Sequence, residues 1–152
     1  MNSVLDGIGW TPMILMNNMP KKEGLKSQIF AKCDFQSIGG SVKDRIGMNM
    51  IVQAEKREEI KKGDYIVEST SGNTGIGLAL TSMVMGYKTI ITIPDKMSTE
   101  KVNLLKSLGA EVHICDTNAP KGHPDKYYYI HWFYIINLTV FESFNSFLIF
   151  FN

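Results

Sequence analysis

Two glycine- and hydroxyl-rich segments of the chain could supply a reactive amine and an anion-binding turn. The first, residues 37–45, reads SIGGSVKDR and leads into a helical pattern that opens near Lys43. The second, residues 68–75, reads ESTSGNTG and precedes another helical pattern. Backbone N–H groups at a helix N-terminus bind carboxylates and phosphates well. An amine that faces such a turn is what a pyridoxal-phosphate enzyme needs: a Schiff-base lysine and a grip on the carboxylate of an amino acid.

Each segment also has a purely structural interpretation when it is taken alone. A Gly-Gly-Ser sequence before a helix usually forms a turn and a cap, and a lysine in a first helical turn is usually solvated. The order and spacing of the pair favour the chemical interpretation. Lys43 does not stand in a G-x-x-x-x-G-K-[ST] phosphate loop, and Gly72, Gly75 and Gly77 do not form the G-x-G-x-x-G fingerprint of a dinucleotide site.

The two segments resemble the signature segments of the cysteine synthase and cystathionine beta-synthase family, which consists of fold-type II pyridoxal-phosphate enzymes. Five further stretches carry the resemblance, namely IGWTPM at 8–13, AKCDF at 31–35, PDKMS at 94–98, EKV at 100–102 and LGAE at 108–111. The last three are more similar to the cystathionine beta-synthase branch than to plain cysteine synthases.

The resemblance implies roles for individual residues. Lys43 matches the catalytic lysine that binds the cofactor, and Asn73 matches the residue that hydrogen-bonds the phenolic oxygen of the cofactor. The loop that binds the substrate carboxylate corresponds to Thr70, Ser71, Gly72, Asn73 and Thr74. Ser69 stands where the family usually has proline, so we expect this loop to be less rigid here.

The resemblance also implies a reaction, namely β-replacement on serine with pyridoxal 5′-phosphate as the cofactor. Homocysteine as the acceptor would give cystathionine. The alternative is a cysteine synthase, in which sulfide attacks an activated serine. Small-molecule amino-acid substrates and, for the full-length protein, a homodimer are implied as well. We expect no metal, and no haem, because the haem-binding segment of animal cystathionine beta-synthases has no counterpart in the sequence.

The composition indicates which partners and which cellular compartment to expect. A formal net charge of +1 over 152 residues gives no signal for a nucleic-acid partner. Cys33 and Cys115 lie far apart in apolar runs, which predicts buried thiols and a reducing compartment. The N-terminus lacks a basic region followed by an apolar one, so we expect no signal peptide and a cytoplasmic location.

Strand-like and helical runs alternate along the chain. We predict strands over 28–33, 65–68, 88–93 and 111–115, and helices over 42–57, 74–85 and from Ser98, as the cap, to Gly109. The buried face of the first helix would consist of Val42, Ile46, Met50 and Ala54. This alternation predicts an α/β fold, a parallel sheet with flanking helices that binds ligands where the strands end. The resemblance implies the fold-type II, tryptophan synthase beta-like arrangement in incomplete form.

The composition changes abruptly at residue 127. Residues 127–152 are rich in aromatic and apolar side chains, and Glu142 is their only Asp, Glu, Lys or Arg. We therefore divide the chain into an N-terminal part of the catalytic domain, 1–126, and an aberrant tail, 127–152. We expect a truncation, which would leave a non-catalytic fragment without the family's phosphate loop. A membrane tail anchor is the alternative, although polar residues and a mid-span acid interrupt the apolar run.

Overall fold

The computed structural model describes residues 1–70, 72–120 and 123, and the backbone of residues 147–150. The described strands are β1 Met13–Leu15, β2 Phe30–Lys32, β3 Tyr65–Ser69, β4 Lys88–Pro94, β5 Glu111–Cys115 and β6 Phe147–Phe150. The described α-helices are α1 Asn18–Lys22, α2 Lys43–Lys56, α3 Asn73–Met85 and α4 Thr99–Ser107. Short 3₁₀ helices occupy Val4–Gly7 and Asp34–Gln36.

The main sheet has four parallel strands in the order β5-β4-β3-β6. Val67 on β3 lies in register with Ile90 on β4 on one side and with Ile149 on β6 on the other. Strand β6 comes from the segment that the sequence separates as a tail. The predicted α/β fold with a parallel sheet is confirmed.

The strand predicted over 28–33 does not join this sheet. The strand comprises Phe30–Lys32, and it pairs antiparallel with β1, with Ile14 opposite Ala31. Its residues are exposed or half-buried, whereas a strand inside a parallel sheet is covered on both faces. The prediction that this run belongs to the parallel sheet was therefore wrong.

Helix α3 is the centre of the core. Every residue from Gly75 to Ser82 is buried, as expected for a helix that is covered on all sides. One cluster joins α3 to β4 and α4 through Ile76, Ala79, Ile91, Ile93, Val102, Leu105 and Ala110. A second joins α3 to α2 and β3 through Ile51, Ala54, Ile60, Ile66, Leu78 and Tyr87.

The buried face of α2 matches the prediction at Ala54, and partly buried Met50 packs against the same cluster, but the prediction was wrong for Val42 and Ile46. Val42 and Ile46 are 46% and 41% exposed. The buried residues are Asp44, Gly47, Ile51 and Ala54. The reason is the contact with α3, where a Cβ on Gly47 would meet the backbone of Gly77. Helix α2 thus turns its smallest residue toward its neighbour, which a count of apolar positions does not reveal.

The ends of the later helices follow the sequence signals. Gly86 and Gly109 have φ of +84° and +82°, the left-handed conformation that ends a helix. Ser98 occupies the N-cap position of α4, as predicted, although its side chain makes no capping hydrogen bond. Both Cys33 and Cys115 are buried, as predicted.

Within the described residues, no helix is long and apolar enough to cross a membrane. The tail-anchor alternative depends on residues 127–146, which lie outside the described part of the chain.

Candidate active site

The turn before α2 is closed by hydrogen bonds within the first motif. The N–H of Gly40 donates to the carbonyl of Ser37 over 2.8 Å, and the φ of +80° at Gly40 is one that glycine adopts without strain. The N–H of Lys43 donates to Oγ of Ser41 over 3.2 Å. Lys43 is consequently the first residue of α2, and its side chain starts at the N-terminus of the helix.

Asp44 fastens this turn to the helix. Its side chain is fully buried, and Oδ2 accepts a hydrogen bond from the N–H of Gly39 over 2.7 Å. A Cβ on Gly39 would lie 2.5 Å from Oδ1 of Asp44, so a larger residue there would displace the carboxylate. The pair fixes the direction in which the chain enters α2, and with it the position of Lys43.

Arg45 attaches the start of α2 to the N-terminal part of the chain. Its Nη2 donates to the carbonyl of Gly9 over 2.9 Å and to Oδ1 of Asp34 over 2.8 Å. Thr11 donates its hydroxyl to the same carboxylate oxygen over 2.6 Å. The hydrogen bond from Arg45, followed by that from Thr11, holds the pKa of Asp34 below its ordinary value. Lys43 is therefore followed directly by two anchored residues.

The second motif forms the turn between β3 and α3. Thr70 is buried, and its N–H donates to the carbonyl of Thr92 over 3.1 Å. Its Oγ1 accepts a hydrogen bond from the N–H of Gly72 over 3.2 Å. A Cβ on Gly75 would lie 2.5 Å from Cγ2 of Thr70, so Gly75 lets the threonine pack against the first turn of the helix. Ser71 lies outside the described residues.

Among the described residues, no side chain caps the N-terminus of α3. Gly72 is the N-cap residue, and because it has no side chain it cannot accept a hydrogen bond from the first N–H groups of the helix. Together with the hydroxyl of Thr74, these groups can hydrogen-bond a carboxylate, which the helix dipole also favours.

The two motifs meet in one cleft of 340 Å³. It is lined by Ser41, Val42, Lys43, Thr70, Gly72, Asn73 and Thr74. The structure thus brings together every described residue that the sequence selected as a site candidate. Ser41 and Val42 were not selected, although their position just before Lys43 could have indicated them.

Contact between two helices places the motifs side by side. A Cβ on Gly47 would lie 2.4 Å from the carbonyl carbon of Gly77, and one on Gly77 would lie 2.7 Å from the carbonyl oxygen of Lys43. Because α2 and α3 touch through their backbones near their N-termini, Lys43 and Asn73 open on the same space.

A buried acid lies just before the second motif. Glu68 is 1% exposed, and its Oε2 has no hydrogen-bond partner within the described part of the chain. Burial raises its pKa to about 7. Glu68 does not line the cleft, and the sequence did not mark it as an unusual group.

A second, wider groove of 580 Å³ lies away from both motifs. Its lining is mostly apolar and includes Leu5, Ile8, Trp10, Met48, Val52 and Met85. The polar lining residues, Ser3 and Asp6, use their side chains to cap the first 3₁₀ helix. Among the described residues no group of three or more His, Cys, Asp or Glu side chains could hold a metal ion.

The donor set of the cleft suits pyridoxal phosphate with an amino acid. Lys43 offers an amine for the aldehyde carbon, Asn73 an amide for a ring oxygen, and the α3 N-terminus donors for a carboxylate. None of the described residues that line the cleft carries a carboxylate that would repel an anion. The class that fold and site define is therefore an α/β protein with a lysine beside an anion-binding turn.

Comparison with known proteins identifies the family. Residues 4–135 match the pyridoxal-phosphate dependent enzyme family, and the chain belongs to it. The chain is 53% identical over 127 residues to a cystathionine beta-synthase of Dictyostelium discoideum, with 84% of this chain and 25% of the relative aligned. It is 47% identical over 116 residues to a cysteine synthase of Staphylococcus aureus, covering 76% of this chain and 37% of the relative.

A solved structure agrees with this assignment. A hydrogen sulfide-producing enzyme of Fusobacterium nucleatum superimposes with a TM-score of 0.78 at 36% identity, and the match covers 98% of this chain and 45% of that enzyme. The chain spans about a quarter of the length of the cystathionine beta-synthases that it matches.

Proposed function

We propose that the protein to which this chain belongs catalyses β-replacement on serine, with homocysteine as the acceptor and cystathionine as the product. The observation that carries the proposal is the single cleft shared by Lys43 and the turn that contains Asn73. Similarity to cystathionine beta-synthases at 50–53% identity supports the choice of acceptor.

Lys43 is the proposed catalytic residue. Its amine would hold pyridoxal phosphate, which when bound would supply an electron sink for negative charge on the α-carbon of the substrate. The Lys43 amine would also serve as the general base that moves the α-proton. Asp44 and Arg45 hold the start of α2, so the amine keeps its place beside the substrate.

The turn of the second motif is the proposed substrate site. The hydroxyls of Thr70, Ser71 and Thr74 and the N–H groups at Gly72 and Asn73 hydrogen-bond the substrate carboxylate. The Asn73 amide orients the cofactor ring through its phenolic oxygen. Such orientation matters because a displacement of about 1 Å of a reacting group can slow a reaction by about 100-fold.

A cysteine synthase is the second candidate. In that reaction sulfide attacks an activated serine bound in the same way, and the Staphylococcus aureus relative supports it. Incubating the complete protein with pyridoxal phosphate, serine and homocysteine, or with O-acetylserine and sulfide, distinguishes the two by the product that forms.

The setting of the enzyme is also a proposal. We place it in the cytoplasm as a homodimer that acts on small amino acids, and buried thiols at Cys33 and Cys115 suit a reducing compartment. The division into a catalytic part, 1–126, and an aberrant tail, 127–152, stays part of this proposal.

Borohydride reduction tests the assignment of Lys43. After incubation with pyridoxal phosphate and reduction, mass spectrometry of peptides should find the pyridoxyl group on Lys43, and Lys43→Ala should remove it. Lys56→Ala, at the other end of the same helix, is the control and should label like the unmodified chain. Labelling that stays unchanged in Lys43→Ala would refute the assignment.

A further inference from the structure

Lys101 brings a second ammonium group to the turn of the second motif. It is half-buried in the first turn of α4, and its Nζ lies 3.7 Å from the position that a Cβ on Gly72 would occupy. Lysine side chains on a helix lean toward its N-terminus. Helix α4 follows β4, whose carboxyl end lies at the same edge of the parallel sheet as the end of β3. The side chain therefore reaches the edge where the proposed substrate binds.

The location of Lys101 is unfavourable unless an anion is present. A cation in the first turn of a helix opposes the helix dipole. The ion pairs of the described residues use Arg45, Arg57 and His113, so within that part of the chain Lys101 has no acidic partner. The described contacts of Lys101 thus include no ion pair that would explain a positive charge at this position.

The neighbouring residue leaves the ammonium group close to the open donors of α3. Gly72 is the N-cap residue of α3 and has no side chain, and Nζ of Lys101 lies 3.7 Å from the position that its Cβ would occupy. A carboxylate on those donors would lie within charge-assisted hydrogen-bonding reach of a lysine side chain. Lys43, in the first helical turn of α2, lines the same cleft as Gly72 and Asn73.

We propose that Lys101 is a specificity-determining residue of this site: it binds the carboxylate of the amino-acid ligand held at Gly72 and Asn73. The inference rests on the proposed function for the class of ligand. Lys101 lies on α4, outside both motifs, so the inference adds to the site a residue that the motifs do not contain. If Lys101 has this role, the site binds a ligand with a free carboxylate more tightly than the same ligand with a neutral amide in place of the carboxylate.

The test titrates L-serine and L-serinamide into the ¹⁵N-labelled 152-residue chain, with and without pyridoxal phosphate. Chemical-shift changes of the Gly72 and Asn73 amides give the two dissociation constants. The unmodified chain should prefer serine, and Lys101→Met should reduce that preference about five- to tenfold, the effect of losing one charge-assisted hydrogen bond.

Two variants separate binding from fold stability. Lys101→Arg keeps the charge and should retain the preference. Lys106→Met removes an exposed lysine from the last turn of the same helix and should leave the preference unchanged. Circular dichroism and the thermal midpoint check that all the variants are folded.

The possible outcomes are distinct. An unchanged preference in Lys101→Met, or no response of Gly72 and Asn73 to serine, overturns the inference. Borohydride labelling of Lys43 in the same samples reports on the proposed function independently. Labelling with an unchanged preference refutes only the role of Lys101, whereas a reduced preference without labelling supports that role and refutes the proposed role of Lys43.

Discussion

Gly47 on α2 and Gly77 on α3 pack backbone against backbone: a Cβ on Gly47 would lie 2.4 Å from the carbonyl carbon of Gly77. No larger pair of residues allows two helices to approach so closely. This contact lies one turn beyond Lys43 and one turn beyond Asn73, so it sets the distance between the amine and the anion-binding turn. The glycines of the two helices therefore serve the site as well as the core.

Alanine at Gly47 should destabilise the fold even though alanine favours helices. The gain in helix propensity is about 1 kcal/mol, whereas forcing a methyl group into a packed backbone contact typically costs about 1–3 kcal/mol. We expect a net loss of up to about 2 kcal/mol in the free energy of unfolding, measured by urea denaturation, and weaker labelling of Lys43. Asn49→Ala, on the exposed side of α2, is the control and should be neutral or slightly stabilising. A more stable Gly47→Ala variant would mean that α2 and α3 are farther apart than described.

Glu68 should make stability depend on pH. It faces α3 with Ile66 and Ile91, and α3 contains no ionisable side chain. Burial raises the pKa of Glu68 from 4.5 to about 7 in the fold. The neutral acid is thus favoured in the folded state. The contribution of neutral Glu68 to the free energy of unfolding is fully present below about pH 4.5. It is lost as the pH rises through about 7, and the loss amounts to about 3 kcal/mol.

The neutral variant Glu68→Gln isolates this effect. It should be close to the unmodified chain in stability at pH 4.5 and more stable at pH 8.5. Urea denaturation at half-unit steps of pH measures the difference. If the two chains kept a constant difference across this range, Glu68 would not titrate as a buried acid.

Local signals in the sequence predicted the later part of the fold well. Helix α3 and strands β4 and β5 lie within one residue of their predicted bounds, because apolar runs and the left-handed glycines Gly86 and Gly109 act over a few residues. The two motifs and their shared cleft followed from the same glycine- and hydroxyl-rich turns.

What the sequence did not reveal depends on contacts between distant segments. The buried face of α2 is set by Gly77, thirty positions away from Gly47, and not by the apolar pattern of α2 itself. The burial of Glu68 and the approach of Lys101 to Gly72 likewise require the sheet and its helices to be assembled first. Strand β2 resembles a core strand in composition, but only pairing decides which sheet it joins.

Asn73 should matter more for turnover than for cofactor attachment. Asn73→Ala removes an orienting amide and leaves the amine of Lys43 intact, so borohydride labelling of Lys43 should persist. In the complete enzyme we expect product formation to fall by about tenfold or more, the effect of losing about 1.4 kcal/mol of orientation in the transition state. Asn118→Ala, outside the cleft, is the control. Loss of labelling in Asn73→Ala would show that the amide helps to hold the cofactor itself.

Asp44 should position Lys43 without contacting any ligand. Asp44→Ala removes the acceptor for the half-buried Gly39 N–H, and leaving that donor unsatisfied costs up to about 3 kcal/mol. We expect that loss in urea denaturation together with slower labelling of Lys43 by pyridoxal phosphate. Asp44→Asn retains a side-chain oxygen for the Gly39 N–H and should recover part of both quantities.

Glu55→Ala, near the far end of α2, is the control for labelling. The Glu55 carboxylate accepts a hydrogen bond from the hydroxyl of Tyr87, so this variant also loses a hydrogen bond, but far from the motif. Equal rates of Lys43 labelling in Asp44→Ala and Glu55→Ala would show that the hydrogen bond between Gly39 and Asp44 stabilises the fold but does not position the Lys43 amine.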